Sequence, residues 1–283
     1  MALPTSASEL VDGLDGFEAL VTRGLTRWNH TPATKRLVSL FVHHVSHRWI
    51  QGVIGNRLEV HGAEHVRGLD PERGILLVAN HRTFWDMYVG TSVLTAHSPR
   101  VRDLFFPVRR RFFYTHPLGV LLNFAVSGGS MWPPMASGFD RRRRDLVAID
   151  ALARTLDRPR TLAGIHPEGT RNKRAEPLDL LPAKGGAGRL VRALHPEAVV
   201  VPFFMCGLTD DFVGEVRRNF RRPDRRGPPV QIAFGEPRPA SRWAQADGPP
   251  ASISRALLDH VRELGASMPR VPVRGAPTPE PDP

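Results

Sequence analysis

The stretch GILLVANHRTFWDMYVG, residues 74–90, decides the fold. Residues 75–79 are an unbroken apolar run bounded by Gly74, the composition of a strand covered on both faces. The run ends at Asn80 and His81, and a helical pattern begins near Thr83 and fills 84–96. Strand, polar turn and helix in that order make one unit of a parallel sheet, and such sheets place their chemistry at the carboxyl ends of the strands. His81 and Asp86 are five residues apart, which on one continuous helix separates them by about 140°. They meet only if His81 lies before the helix and Asp86 sits in its first turn. A carboxylate on one imidazole nitrogen then fixes the tautomer and leaves the other nitrogen as a general base. Neighbours Asn80, Arg82 and Thr83 include no activated nucleophile, so the base would act on a hydroxyl of the substrate. The plainer account has Thr83 and Asp86 as a helix-capping pair and His81 as a hydrogen-bonded strand-end histidine.

A second strand end lies in TLAGIHPEGTRNKR, residues 161–174. Gly169 can supply a tight turn, Arg171 can clamp a phosphate, and Glu168 can accept from a hydroxyl or steady a basic group. Alone, this segment also reads as an ordinary strand-end turn followed by solvated charges.

Outward from these two stretches, strands are expected at 58–60, 75–79, 162–165, 199–204 and 230–234. Helices are expected at 84–96, 117–125, 143–156, 186–194 and 252–264. The alternation argues an α/β fold with a largely parallel central sheet flanked by helices. Two amphipathic helices precede it. Leu10, Leu14, Phe17, Val21, Leu25 and Trp28 line one; Val38, Val42, Val45, Trp49 and Val53, widened by Leu37, Phe41 and Ile50, line the other. Lys35, Ser39, His43, His47 and Arg48 form much of its polar face. Either these helices pack together over the sheet, or one apolar face lies in a membrane interface, aided by Trp49 and the basic residues. Residues 112–139 carry no Lys, Arg, Asp or Glu, but Gly128, Gly129, Pro133 and Pro134 interrupt the run. The expectation there is a buried helix followed by a loop, with contact to lipid left open, and not a membrane span. The division is 1–57 helical region, 58–267 main domain, and 268–283 disordered Pro-rich tail.

The composition is that of a globular chain: 283 residues, 41% hydrophobic and 24% charged. One cysteine, Cys206, excludes an intrachain disulfide and a cysteine-based metal site. The N-terminus MALPTSASELVDGLDG has acidic residues where a secretory signal has a basic stretch, so an intracellular, cytoplasmic protein is expected. Basic residues outnumber acidic by 39 to 28, and all but Lys35, Lys173 and Lys184 are arginine. They cluster at Arg109 to Arg111, at Arg141 to Arg144 and in RRNFRRPDRR, 217–226. Such patches suit an anionic membrane surface, a nucleic acid or a polyphosphorylated cofactor. No nucleic-acid-binding motif accompanies them, so no specific nucleic acid is expected. A metal hydrolase built on His81, Asp86 and Glu168 is a weaker reading, because that spacing matches no short metal signature.

Taken together, Asn80-His81 with Asp86, then PEGTR at 167–171, resembles the phospholipid and glycerol acyltransferase family, which includes 1-acylglycerol-3-phosphate acyltransferases. The family's His-four residues-Asp motif matches His81 to Asp86. Its Phe-Pro-Glu-Gly-Thr-Arg motif matches His166 to Arg171, with His166 as a departure. Val200, Val201 and Pro202 resemble its apolar-Val-Pro motif, and LPAKGGAGRL, 181–190, places Lys184 as expected. The resemblance covers about residues 58–236. It implies His81 and Asp86 as the catalytic pair, with Glu168, Gly169, Thr170, Arg171 and Lys184 binding substrate and with no metal or other cofactor. It implies transfer of a fatty acyl group from an acyl-CoA or acyl carrier protein thioester to a lysophospholipid hydroxyl; the lack of a span, the amphipathic pattern at 31–54 and the basic clusters place the expected protein on the inner face of the cell membrane. One motif departs further: an arginine of the form Phe-Ile-Asp-Arg, which helps hold the acceptor's phosphate, is absent from SGGSMWPPM, 127–135. Either Arg141 to Arg144 reach back, or the acceptor lacks that phosphate.

Overall fold

Ile75, Leu76, Leu77, Val78 and Ala79 are all fully buried in the computed structural model, which describes residues 8–14, 16–136, 141–245 and 248–268. The tail expected at 268–283 falls outside those residues beyond 268. The chain runs through α1 (Gly16–His30), α2 (Pro32–Phe41), a single π-helical segment (Val42–Ser46) and α3 (His47–Ile54). Next come β1 (Leu58–His61), β2 (Ile75–Ala79), α4 (Asp86–His97), β3 (Asp103–Phe105), β4 (Val108–Arg109), α5 (Arg110–Phe113), α6 (Pro117–Ser127) and β5 (Pro134–Met135). The second half holds α7 (Arg141–Thr155), β6 (Thr161–Ile165), α8 (Gly186–Ala193), β7 (Val199–Cys206), α9 (Phe212–Asn219), β8 (Val230–Phe234), β9 (Arg238–Pro239), α10 (Ala240–Ala244) and α11 (Pro250–Ala266).

The main sheet has the order β1-β8-β7-β2-β6-β3, with β9 against β7, while β4 and β5 form a separate two-stranded ladder. β2 is central and pairs in parallel with β7 on one side and β6 on the other. Only β8 and β9 run antiparallel to β7, so the sheet is mostly parallel as expected. All five expected strands form. β3, β4, β5 and β9 are two or three residues long, too short for a hydrophobic period to reveal them.

Side chains alternate between two cores, as the period of a strand requires. Leu76, Val78 and Val200 face Leu152, Leu156, Leu190, Leu257 and Val261 from α7, α8 and α11. Ile75, Leu77 and Phe203 face α4, and beyond it Val38, Val42, Ile50, Val53 and Ile54 of the second amphipathic helix. α4 is therefore covered on both sides, with Met87 through Thr95 all buried. Thr91 and Thr95 donate their hydroxyls to carbonyls one turn back, at 2.6 and 2.8 Å, which satisfies polar groups that burial would otherwise leave costly.

The N-terminal region takes the first of the two packings expected for it and differs from expectation in two details. The first helix starts at Gly16, with Leu10 buried from a separate turn. The second helix covers α4: Ile50 is only 1% exposed, and the half-buried Trp49 packs on Trp85, Tyr88 and Phe212. Residues 38–54 thus share a core with the sheet, while Val21 and Leu25 of α1 cluster with Tyr114. Lys35, expected on the polar face, is buried: its Nζ donates to Leu104 O at 2.8 Å and lies 3.6 Å from the Phe105 ring centroid. Burial drives its ammonium down to about 7.

α6 departs from the buried helix expected at 117–125. Pro117 starts it at N1, where its missing N–H costs nothing, and Gly128 ends it in the left-handed conformation. Leu118 and Leu121 are 62% and 64% exposed. Among the described residues, no helix is long and apolar enough to cross a membrane. At the other end of the layer, Arg57 and Glu215 pair at 2.7 Å in full burial and tie the end of α3 to α9. Removing one partner of such a pair costs about 3–5 kcal/mol.

Candidate active site

The carboxyl ends of β2 and β6 lie side by side because the two strands pair in parallel, with Val78 opposite Ile165. This juxtaposition carries the residues after each strand, His81 and His166 onward, to one place. Asp86 is the first residue of α4 and has no exposure. Its Oδ2 accepts from the backbone N–H groups of Arg82 and Thr83, at 2.6 and 2.9 Å, and its Oδ1 accepts from the Thr83 hydroxyl at 2.6 Å. The same Oδ2 lies 3.2 Å from His81 Nδ1. Both sequence accounts of Asp86 therefore hold together: it organises the start of the helix and it also meets His81. Burial alone would raise the Asp86 carboxyl, but the hydrogen bond and charge of His81, with help from His166 and Thr83, hold it below the usual carboxylate range. With Nδ1 turned to Asp86, His81 presents Nε2 to the adjoining space.

That space is a cavity of about 860 Å³. Phe84, Tyr88, Phe113, Met131, Met135 and Ile149 are among its apolar lining. Arg109, Arg171, Lys184 and Arg189 contribute cations, and Gly169 and Thr170 also line it. Gly169 adopts φ +62°, and a Cβ there would come 3.1 Å from the Lys184 side chain, so both the turn and the lysine's approach favour glycine.

Of the site residues expected from the sequence, His81, Gly169, Thr170, Arg171 and Lys184 line this cavity, and Asp86 stands directly behind His81. Glu168 does not line it. Fully buried, Glu168 accepts from the backbone N–H of His81 at 2.6 Å and from that of Leu181 at 2.8 Å, one on each carboxylate oxygen. Burial raises its carboxyl, and the two N–H donors pull it back in part. In the structure it is a brace between strand-end loops. Arg171 is held by Asp210 at 2.8 Å, and Asp210 also accepts from Phe84 N–H at 2.9 Å.

Four residues gained roles that sequence reasoning did not assign. Asn80 is buried and clasps β7 through Met205, donating to its O at 2.8 Å and accepting from its N–H at 2.9 Å. Asp210 steadies Arg171. Arg109 sits opposite Met135 in the small ladder and donates to Gly169 O at 2.8 Å. His166, noted only as a departure from a motif, stacks on His81 with centroids 3.8 Å apart and 10° between planes. None of these partnerships has a local spacing signal, since each joins segments far apart in the chain. In SGGSMWPPM, Met131 and Met135 line the cavity while Trp132 is buried and donates to Thr26 Oγ1 at 3.1 Å. Arg144 donates instead to the carbonyls of Asp12 and Gly13, and Arg143 lies 3.7 Å from Asp12; the side chains of residues 141 and 142 lie outside the described structure.

Ligand atoms of His81, Asp86 and His166 fall within 4.8 Å of one another. Their arrangement does not suit a shared metal ion. The two rings are nearly parallel and stacked, so an ion in the plane of one lone pair lies out of the plane of the other, and the Asp86 oxygens already serve several hydrogen bonds. Cys206 is buried, and burial pushes its thiol up to about 12, far from a thiolate at neutral pH.

Fold and site together define an α/β enzyme of the acyltransferase type. The family model described as Acyltransferase matches residues 57–206, more than half of the chain, and the chain belongs to that family. No curated protein matches the chain. Among solved structures, it is similar to the 1-acyl-sn-glycerophosphate (LPA) acyltransferase PlsC from Thermotoga maritima, with 16% identity, 87% of this chain and 88% of that chain covered, and a TM-score of 0.49.

Proposed function

We propose that the protein moves a fatty acyl group from an acyl-CoA or acyl carrier protein thioester to a hydroxyl of a lysophospholipid, foremost 1-acyl-glycerol-3-phosphate. The observation that carries this reading is the cavity itself: one base, His81 backed by Asp86, faces a space whose lining combines large apolar side chains with several cations. An amphiphile with a fatty tail and an anionic head matches both kinds of lining. His81 Nε2 would take the proton of the acceptor hydroxyl as its oxygen attacks the thioester carbonyl carbon. Asp86 would stabilise the imidazolium that forms. As the tetrahedral adduct collapses, the C–S bond breaks and the departing sulfur takes the proton from His81, so the base is regenerated and the products are an ester and a thiol. Nearby cations from Arg109, Arg171 and Lys184 favour the negative charge that grows on the carbonyl oxygen and on a bound phosphate.

The missing second-motif arginine favours a second reading, a phosphate-free acceptor. Arg109 weighs against it. Its strand β4 pairs with β5, so its guanidinium enters the cavity from the strand beside the apolar SGGSMWPPM segment. The test is a product-resolved assay offering palmitoyl and oleoyl thioesters to lysophospholipids, glycerol 3-phosphate and phosphate-free alcohols. Acylation of 1-acyl-glycerol-3-phosphate supports the proposal, and acylation of phosphate-free alcohols alone replaces its acceptor. No transfer by folded protein leaves the noncatalytic lipid-binding alternative.

The partner surface proposed with this reaction is the anionic inner face of the cell membrane. Support comes from the layer of α1, α2 and α6. Exposed Phe17 and Leu20 lie on α1, Leu37 and Leu40 on α2, and Leu118 and Leu121 on α6. Val21 and Leu25 of α1 pack with Val120 and Phe124 of α6, so these helices adjoin. Residues 19–58 and 104–139 contain basic residues and no Asp or Glu. Glu18, the acidic residue of α1, is paired with Arg110 at 2.9 Å, and apolar side chains amid a surplus of cations suit the boundary of an anionic bilayer.

A further inference from the structure

His81 is held firmly at its backbone and loosely at its ring. Its N–H donates to Glu168 at 2.6 Å and its C=O accepts from Asn172 N–H at 2.7 Å. The ring has one lateral tether, the 3.2 Å contact from Nδ1 to Asp86, at the long limit for such a bond. A single tether at one edge leaves the imidazole free to tilt about it. The face of the ring is covered by His166, 3.8 Å away and within 10° of parallel. His166 is itself pinned, since its Nδ1 lies 2.8 Å from Asn80 O, the peptide that joins Asn80 to His81. That peptide is anchored in turn, because the Asn80 side chain clasps Met205 of β7.

We propose that His166 is a positioning residue for His81: its ring, stacked face to face on the imidazole, is the plate that keeps His81 in the plane from which it reaches Asp86. The proposal rests on His81 being the base of the reaction proposed above. Because the bond to Asn80 O requires a proton on Nδ1, Nε2 is the basic nitrogen of the neutral ring. Burial, reinforced by the charge of His81, holds the His166 imidazolium down to about 3 against the opposing pull of Asp86 and the backbone carbonyls. His81 and Asp86 are the titratable groups that act most strongly on this ring, and Arg109, Arg171, Lys184 and Asp145 share its cavity. The plate therefore stays neutral while His81 gains and loses its proton, and a neutral aromatic face tolerates an imidazolium that a second cation would repel. A plate needs a flat ring and not a nitrogen, so phenylalanine should serve in its place.

The experiment compares His166→Phe, His166→Ala and His166→Leu, each checked for folding by circular dichroism. H166F should keep kcat within about threefold of wild type, whereas H166A and H166L should lower kcat about tenfold to a hundredfold with little change in KM, the scale of a misplaced catalytic group. The acid limb of kcat/KM should titrate as one proton in wild type and in H166F alike. A readout independent of turnover is the Nδ1 proton of His81 in ¹⁵N-labelled protein, expected as a protected, downfield resonance in wild type and H166F and broadened in H166A. Loss of that resonance in H166F, or an H166F kcat as low as that of H166A, would mean that the ring nitrogen is needed, and the plate is wrong. Wild-type kcat in both H166A and H166L would leave His166 no role, and a second proton that disappears from the acid limb in H166F would make it a titrating group. If wild type transfers no acyl group to any acceptor, the reaction fails, while the resonance still decides whether His166 positions His81.

Discussion

Around His81 a single carboxylate, Asp86, serves two backbone N–H groups, a hydroxyl and an imidazole, while Glu168 spends both of its oxygens on backbone donors. In the layer of α1, α2 and α6, by contrast, six large apolar side chains stand in the open between basic residues. Both arrangements are costly, in opposite senses: buried charge wants partners, and exposed hydrocarbon wants cover. The first cost is met inside the molecule and yields a fixed geometry. The second is unmet within the chain, which is the physical reason to look for a surface that meets it.

The largest effect should come from breaking the first region at its centre. His81→Ala removes the base and should lower turnover by about 10²- to 10⁴-fold while leaving the fold intact. Folded H81A with near-wild-type turnover would remove His81 from the chemistry. Glu168→Gln sharpens the account of the brace. The new amide can accept from only one of the two N–H groups and sets a donor against the other, so stability should fall by about 1–3 kcal/mol in urea denaturation. Turnover should fall with it, because His81 N–H is one of those donors; an unchanged midpoint and rate would mean that the brace is idle.

Breaking the second region calls for Leu118→Ser with Leu121→Ser. Sedimentation with anionic vesicles at low salt should weaken by about tenfold or more, given about 1.5–3 kcal/mol for each fully buried leucine. Turnover on a detergent-dispersed acceptor should be kept. Vesicle binding equal to wild type would take α6 out of the lipid-facing surface. Replacing Trp49 or Ile50 would instead be felt in the core they share with the sheet.

Lys35 joins the two regions, since it fastens α2 to β3. Its folded-state pKa, about 7, lies below its unfolded value, so the unfolded chain binds more protons from there up to the ordinary lysine range. Stability should therefore rise with pH across that window. Lys35→Met should melt higher than wild type near pH 7, with the gap closing toward pH 10. A wild-type stability that falls between pH 7 and 9 would contradict the assignment.

What the sequence made legible follows the same division. The apolar runs of β2 and β6, ending in His81 and in the PEGTR turn, announced both the parallel sheet and the catalytic edge, because strand burial and strand-end chemistry leave local traces. The five-residue spacing of His81 and Asp86 carried a geometric condition, and α4 meets it by beginning at Asp86. Partners across the fold left no such trace: Asn80 on Met205, Asp210 on Arg171, and Arg109 on Gly169 are each made by strand pairing or loop packing. The amphipathic stripes were read correctly as apolar, and Val38, Val42, Ile50 and Val53 of the second are covered as the packing reading expected, while Leu37 and Val45 stay open. That depends on α4, whose own buried surface needs the second helix as its lid, and this is why Ile50 is inside while Leu37 and Leu40 remain outside.

The central claim is that His81 activates the acceptor's hydroxyl and that no side chain carries the acyl group. Intact-mass measurement of the enzyme, quenched during incubation with palmitoyl-CoA before and after acceptor is added, tests it most directly. The account predicts the unmodified mass throughout, and wild-type turnover in Cys206→Ala, whose thiol is buried and protonated. A protein heavier by one palmitoyl group, which returns to its original mass when acceptor arrives and never forms in C206A, would contradict it.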